Sequence, residues 1–245
     1  MKPSCPQPKE SPTQLYLDLL KRCVTDLVYE PRDPERIEGK VWPARAHTMI
    51  GLLRLDSLQH CIENIITDNV PGDLIETGVW RGGACIFMRA VLKAYCVDDR
   101  RVWVADSFNG VPPPDAEKYP ADAGLNLNDY PVLAVAIEAV RESFARYDLL
   151  DDQVGFIEGW FRDTLPTAPI QRLAVLRLDG DLYESTMDAL TNLYPKLSVG
   201  GYVIVDDYGA IGACAQAVHD FRKAHNIADD LVRIDWSGVL WRRSR

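Results

Sequence analysis

Asp179 closes the apolar run LAVLRLD, and Asp206 with Asp207 closes YVIVDD. Apolar runs of this length that finish in an acid read as buried strands. They put a carboxylate at the carboxyl edge of a sheet, where open α/β folds bind ligands. One helical stretch, STMDALTNLY, lies between them, so the two strands are expected to be neighbours. Three carboxylates converging there suit a hard cation such as Mg²⁺, which takes oxygen ligands. Burying them together without a cation is costly. Separate solvent-exposed turn acids are the plain alternative. Asp181 and Asp188 read as solvated or capping residues.

A second constellation lies upstream. The run DLIETGV leads into Glu76-Thr77-Gly78-Val79-Trp80-Arg81-Gly82-Gly83. Gly78 permits a sharp turn and a close ligand, and Gly82-Gly83 permits tight packing where a helix begins. The spacing differs from the GxGxxG turn that binds pyrophosphate, so a nucleoside without phosphates suits it better. A glycine turn with no ligand remains the simpler reading of that motif alone. The next strand, RVWVADSF, ends at Asp106, where an acid can accept hydrogen bonds from both ribose hydroxyls or merely cap a loop. The strand QVGFIEG leads into Trp160 and Phe161, which can line an adenine pocket or simply cover the core.

These residues need a scaffold. Ser11-Pro12 reads as an N-cap and first helical position, followed by a helix with Leu15, Leu19, Leu20, Cys23, Val24, Leu27 and Val28 on its apolar face. Residues 30–45 read as a charged, proline-containing loop or lid. Thr48 is expected to cap a second helix with Ile50, Leu53, Leu58, Ile62, Ile65 and Ile66 inward. Strands and helices then alternate, with a long loop at 109–131 and a helix from Leu133 to Tyr147. LVRIDW and VLWRR close the chain as a strand pair. This alternation predicts a mostly parallel sheet covered by helices on both faces, with an antiparallel edge.

At 245 residues, with 47% apolar and 26% charged residues, one globular domain is expected, residues 1–12 forming a disordered arm. A net charge of -9 argues against nucleic acid or an anionic membrane as partner. No run is long enough to span a bilayer, and MKPSCPQPKESP has no apolar signal core. The six cysteines follow no CxxC spacing, so a cytoplasmic protein with reduced thiols and no zinc site is expected. The four histidines, His47, His60, His219 and His225, show no metal spacing and read as structural.

The segments IETGVWRGGACIFMRAVLKAY, RVWVADSFNGVPPPD, ARYDLLDDQVGFIEGWFRDTLPTAP, LAVLRLDGDLYESTMDAL and GGYVIVDDYGAIGAC resemble the macrocin O-methyltransferase (TylF) family. AHTMIGLLRL upstream is similar too, so the likeness covers nearly all of the chain after residue 13. Pro112–Pro114 and DLYESTMDAL look most like the branch that methylates the noviose sugar of aminocoumarins. The resemblance implies a class I, Rossmann-like methyltransferase fold using S-adenosylmethionine and Mg²⁺. Residues 13–70 would supply helices and a lid over an α/β core of residues 71–245.

By that resemblance Glu76, Gly78 and Trp80 line the methionine end of the cofactor, Asp106 holds the ribose, and Trp160 sits by the adenine. Thr48 and Met49 close over it from the upstream helix, and Ser107, Gly159 and Asp179 complete the cofactor set. Asp179, Asp206 and Asp207 hold the metal, and Asp179 accepts the proton. Catechol O-methyltransferases share the metal layout but carry a lysine base three residues after the first metal Asp, a position held here by Leu182. That counts against a catechol, and the resemblance implies as acceptor a deoxysugar hydroxyl on a glycosylated natural product of macrolide or aminocoumarin type. A catechol or phenol acceptor, and a metal-dependent hydrolase, are the rival readings. The N-terminal helices offer a surface for a homodimer.

Overall fold

The computed structural model describes residues 11–30 and 32–245. Three helices lead in: α1 (Pro12–Val24), α2 (Pro34–Glu38) and α3 (Leu52–Thr67). Then follow β1 (Asp73–Thr77), α4 (Gly83–Ala94) and β2 (Val102–Asp106). Past a long loop come α5 (Ile137–Arg146), β3 (Val154–Glu158), α6 (Phe161–Thr164), β4 (Leu173–Leu178), α7 (Tyr183–Leu193), β5 (Leu197–Val205) and α8 (Gly212–Ala224). The chain closes with β6 (Val232–Arg233) and β7 (Val239–Arg242). The strands form one sheet in the order β3-β2-β1-β4-β5-β7-β6. The five central strands pair in parallel, while β7 runs antiparallel to β5 and to β6. The expected antiparallel edge is therefore present.

Alternate side chains of a strand point to opposite faces, and both faces here are covered. Leu74, Val102, Val104 and Ile204 face a cluster with Leu17, Ile62, Phe87 and Phe144 from α1, α3, α4 and α5. Ile75, Trp103, Leu176 and Val203 face Leu190, Val218 and Phe221 of α7 and α8. Each fully buried aliphatic side chain stabilises the fold by about 1.5–3 kcal/mol relative to exposure. The sheet edge above these clusters is thus a rigid base for polar groups.

Five details differ from the sequence expectation. Of the expected arm, residues 1–10 lie outside the described residues, and Ser11 and Pro12 open α1, the Ser11 side chain accepting from the Gln14 N–H. The inward stripe of α1 is Leu17, Leu20, Lys21 and Val24, whereas Leu15 and Leu19 are exposed. Lys21 joins that stripe with its ammonium over the Phe87 ring and on Asp56, 2.6 Å away. Thr48 caps no helix: Gly51 is the N-cap of α3, and Thr48 N–H is drawn to the Val24 carbonyl instead. Leu53 is exposed. The helix expected from Leu133 begins at Ile137, because Pro131–Leu133 forms a separate tight turn. Among the described residues the five cysteines are free, and no helix is long and apolar enough to cross a membrane.

Candidate active site

Strand order reverses between β1 and β4: the chain builds outward from β1 to β2 and β3, then returns to add β4 and β5 on the other side. Such a switch point opens a crevice at the carboxyl ends of the strands. Parallel pairing continues one residue past the strand ends, with Gly78 N–H donating to the Ala105 carbonyl, Asp179 N–H to Thr77 and Asp206 N–H to Leu178, each at 2.9 Å. Backbone ladders thereby fix the candidate residues. Gly78 is required here: its φ is +86°, and a Cβ would overlap the Asp179 carbonyl oxygen.

Glu76 lies opposite Arg177 in the β1–β4 register, and Arg177 lies opposite Ile204 in the β4–β5 register. The side-chain period of two then puts Arg177 and Asp179 on one face, with Asp206 two residues beyond Ile204 on the same face. Arg177 is 1% exposed, and its guanidinium pairs with Glu76, Asp206 and Asp179, the last at 2.8 Å. Arg54 from α3 takes the other Asp206 oxygen and reaches Asp235 at 2.9 Å. Cys85 Sγ donates to the second Glu76 oxygen at 2.9 Å. Burial pushes Glu76 up to about 7, against the pull of Arg177.

Oxygens of Asp179, Asp206 and Asp207 lie within 4.8 Å of one another. Asp181 joins them, which corrects the sequence reading of a solvated or capping residue. It lines the same cleft, in left-handed conformation at φ 59°, with its N–H donating to Asp207 at 3.2 Å. Burial, then Asp179, raises Asp181 to about 7. Burial and then Asp206 raise Asp179 to about 6, and burial followed by Asp181 pushes Asp207 well above the usual carboxylate range. Glu76, Asp179, Asp181, Asp206 and Asp207 thus share two guanidiniums, and neither guanidinium reaches Asp181 or Asp207. This surplus of carboxylate oxygens fits a divalent cation. Asp206 comes already ion-paired on both oxygens, so it would offer its remaining lone pairs.

One wall of the cleft carries the expected nucleoside residues: Thr48, Met49, Glu76, Gly78, Trp80, Asp106, Ser107, Trp160 and Asp179 all line it. Asp106 is fixed by the Val79 N–H at 2.7 Å and the Phe108 N–H at 2.8 Å. Gly159 does not line the cleft; it turns the chain at φ +132°, donating to the Asp106 carbonyl. Thr48 and Met49 sit on a loop rather than a helix. Buried Arg36 holds that loop by donating to the carbonyls of Thr48 at 3.1 Å, Met49 at 2.8 Å and Ile50. His47 is not a lining residue.

The opposite wall is made by loops and α7. Gly39, Lys40 and Trp42 come from the first loop, and Gly110, Val111, Pro112, Leu127 and Leu133 from the second. The two loops meet at Trp42 and Tyr130, an edge-to-face pair at 5.3 Å, both about half exposed. Trp80 Nε1 donates to the Val132 carbonyl at 2.8 Å. Asp122, fully buried, accepts from the Tyr183 and Glu184 N–H groups and so caps α7 from the long loop. Four of the six tryptophans line this cleft.

Sequence reasoning missed Arg177, Arg54, Arg36, Asp122 and the place of Asp181. Arg177 carried a signal: a guanidinium inside LAVLRLD must be paired once the strand is buried. The others depend on loop paths that no local pattern encodes.

A parallel sheet with this switch point, carboxyl-edge acids and an antiparallel β7 edge defines the class I S-adenosylmethionine-dependent methyltransferase fold. The O-methyltransferase NovP superposes with a TM-score of 0.92 at 57% identity, over 95% of this chain and all of that one. The macrocin-O-methyltransferase (TylF) model matches residues 7–243. A Streptomyces olivaceus protein, 8-demethyl-8-(2,3-dimethoxy-alpha-L-rhamnosyl)-tetracenomycin-C 4'-O-methyltransferase, is 55% identical over 96% of this chain and 95% of its own length. The demethyldecarbamoylnovobiocin O-methyltransferase of Streptomyces niveus is 55% identical over the same shares. The chain belongs to the macrocin-O-methyltransferase (TylF) family.

Proposed function

We propose that this protein transfers a methyl group from S-adenosylmethionine to a sugar hydroxyl of a glycosylated natural product, with Mg²⁺ in the acidic set. The reading rests on one observation above others: the acidic set lines one cleft together with Asp106 and the aromatic side chains of Trp42, Trp80 and Trp160. The names of the two relatives support a sugar-bearing acceptor. In this reading one domain houses the reaction, the helices and lid of residues 13–70 lying over the core of 71–245.

Glu76 meets the cofactor's ammonium group, Asp106 its ribose hydroxyls and Trp160 its adenine, with Thr48 and Met49 closing over them. Asp179, Asp206 and Asp207 would hold Mg²⁺, which lowers the pKa of a neighbouring hydroxyl when bound. The sulfonium methyl is already activated, so the protein mainly orients the two reactants and excludes water. Asp179 was expected as the base, but one of its oxygens is engaged by Arg177 and the metal role claims it too. Asp181 faces the same space with no guanidinium on it, and we assign it the proton. Leu182, buried at the start of α7, leaves no lysine for catechol chemistry. The exposed Leu15 and Leu19 of α1 offer the contact for a second copy, which sedimentation of a Leu19→Glu variant tests by loss of the dimer.

The test is calorimetric titration with S-adenosylhomocysteine in Mg²⁺ and in EDTA, then methyl transfer to glycosides with and without metal. Saturable binding in both buffers, with turnover only in Mg²⁺, is expected. Absence of binding by folded protein returns the acidic set to the hydrolase reading.

A further inference from the structure

Glu184 is a buried carboxylate that the reaction as described does not use. It stands in the first turn of α7, 5% exposed, and lines the cleft on the acceptor side. Its Oε1 accepts from Arg162 at 3.3 Å, across to a side chain that is itself half exposed. Its Oε2 is buried and has no hydrogen-bond partner. A carboxylate oxygen left without a donor in such a place is costly.

Two structural duties fail to explain it. An acid in the first turn often serves the helix N-terminus, but Asp122 already takes the Tyr183 and Glu184 N–H groups. An ion pair with Arg162 needs only one oxygen, and Arg162 can hydrate without it. One turn further on, Asp188 lines the same cleft, on the same helix face. The burial of Asp188 and then the charge of Glu184 push it up to about 6. Two acids on one face, without a full complement of cations, suit neutral donors such as hydroxyl groups. Sugar rings present those donors on adjacent carbons.

We infer that Glu184 accepts a hydrogen bond from a ring hydroxyl next to the one methylated, and thereby selects the acceptor sugar. This rests on the sugar O-methyltransferase reading above. Asp179 to Asp207 would then act on one hydroxyl while Glu184 reads its neighbour, fixing which position meets the methyl group. A site built to hydrogen-bond a substrate hydroxyl rejects the analogue that lacks it.

The experiment compares kcat/KM for demethyldecarbamoylnovobiocin and a rhamnosyl tetracenomycin with analogues lacking one ring hydroxyl at a time. Wild type should prefer the parent over the analogue lacking the neighbouring hydroxyl by roughly 10- to 100-fold. Glu184→Ala should shrink that ratio to about 3-fold or less, acting on the parent and sparing the analogue, with the S-adenosylhomocysteine Kd unchanged. Glu184→Gln, which keeps the shape, should fall between, and it decides the matter if the alanine variant does not fold. An undiminished ratio in a folded variant that still binds S-adenosylhomocysteine overturns the inference and leaves the sugar reading intact. If wild type neither methylates nor binds any of these glycosides while still binding S-adenosylhomocysteine, the sugar reading falls and takes the inference with it.

Discussion

The two walls of the cleft are held by different means. On the wall proposed for the nucleoside, Glu76, Asp106 and Asp179 sit at or within one residue of a strand end, locked by ladder bonds. On the wall proposed for the acceptor, long loops hang from a few polar anchors, Asp122 on two N–H groups and Arg81 on the carbonyls of Ala44 and Ala46. A sheet edge tolerates little change, whereas a loop with one anchor can be reshaped between anchors. Under the proposed function, the difference makes the chemistry and the choice of acceptor mechanically separable.

The sharpest way to break that separation is to remove the group that underlies the acidic set. Arg177→Met leaves the buried Glu76 and Asp206, and the partly exposed Asp179, without their shared cation. The unfolding free energy should drop by about 3–5 kcal/mol in urea titrations, the cost of stranding buried charges. Arg177→Lys retains the charge without the planar fork, and it should recover part of that loss. A methionine variant as stable as wild type would falsify the account of Arg177 as the internal counter-charge. Next in size is Asp207→Asn. Asp207 touches neither guanidinium, so the fold should tolerate the change, while turnover in Mg²⁺ falls by roughly 100-fold or more. S-adenosylhomocysteine affinity should stay within about threefold, because the proposed function gives Asp207 to the metal and not to the nucleoside. Equal losses of turnover and cofactor binding would show that the walls are not separable after all.

The same contrast explains what the sequence could reveal. Strand-end acids and Gly78 were legible because an apolar run, its period and its terminal residue are all local. The parallel order and the antiparallel edge followed from β-α alternation. The stripe on α1 was misjudged because Leu15 and Leu19 share the spacing of an inward face, and only packing against Phe87 selects Leu17 and Lys21 instead. Thr48 has the right chemistry for a cap, yet tertiary hydrogen bonds to Val24 and Arg36 fix it on a loop that lines the cleft. Asp181 looked like an ordinary turn acid. Its meaning comes from Asp207, which lies 26 residues away in sequence and beside it in space. Asp122 is the same case in the long loop.

Two smaller effects sharpen each wall in turn. On the nucleoside wall, burial raises Glu76 from 4.5 to about 7. Below that pH the free protein holds Glu76 protonated and neutral, and a cofactor ammonium needs the carboxylate. Binding therefore releases a proton, and affinity must rise with pH through this range. S-adenosylhomocysteine should bind about 10-fold more tightly at pH 8 than at pH 6, and Glu76→Gln should flatten the profile at the weaker level. A flat profile for wild type removes Glu76 from the ammonium site.

On the acceptor wall the test is Trp42→Ala. Trp42 is 51% exposed and touches Tyr130 across the mouth, so its loss should move the unfolding free energy by only about 0.5 kcal/mol. An aromatic edge at a cleft mouth matters chiefly for what lies across it. The KM for a glycoside with a bulky apolar aglycone should rise by roughly 3- to 10-fold, the scale of one aromatic contact. Neither kcat nor S-adenosylhomocysteine affinity should change with it, since Trp42 is not among the residues proposed to hold the cofactor, the metal or the proton. If the substitution lowers kcat instead, the mouth acts on the geometry of the reacting groups, and the lid must be counted with the sheet edge as part of the chemical apparatus.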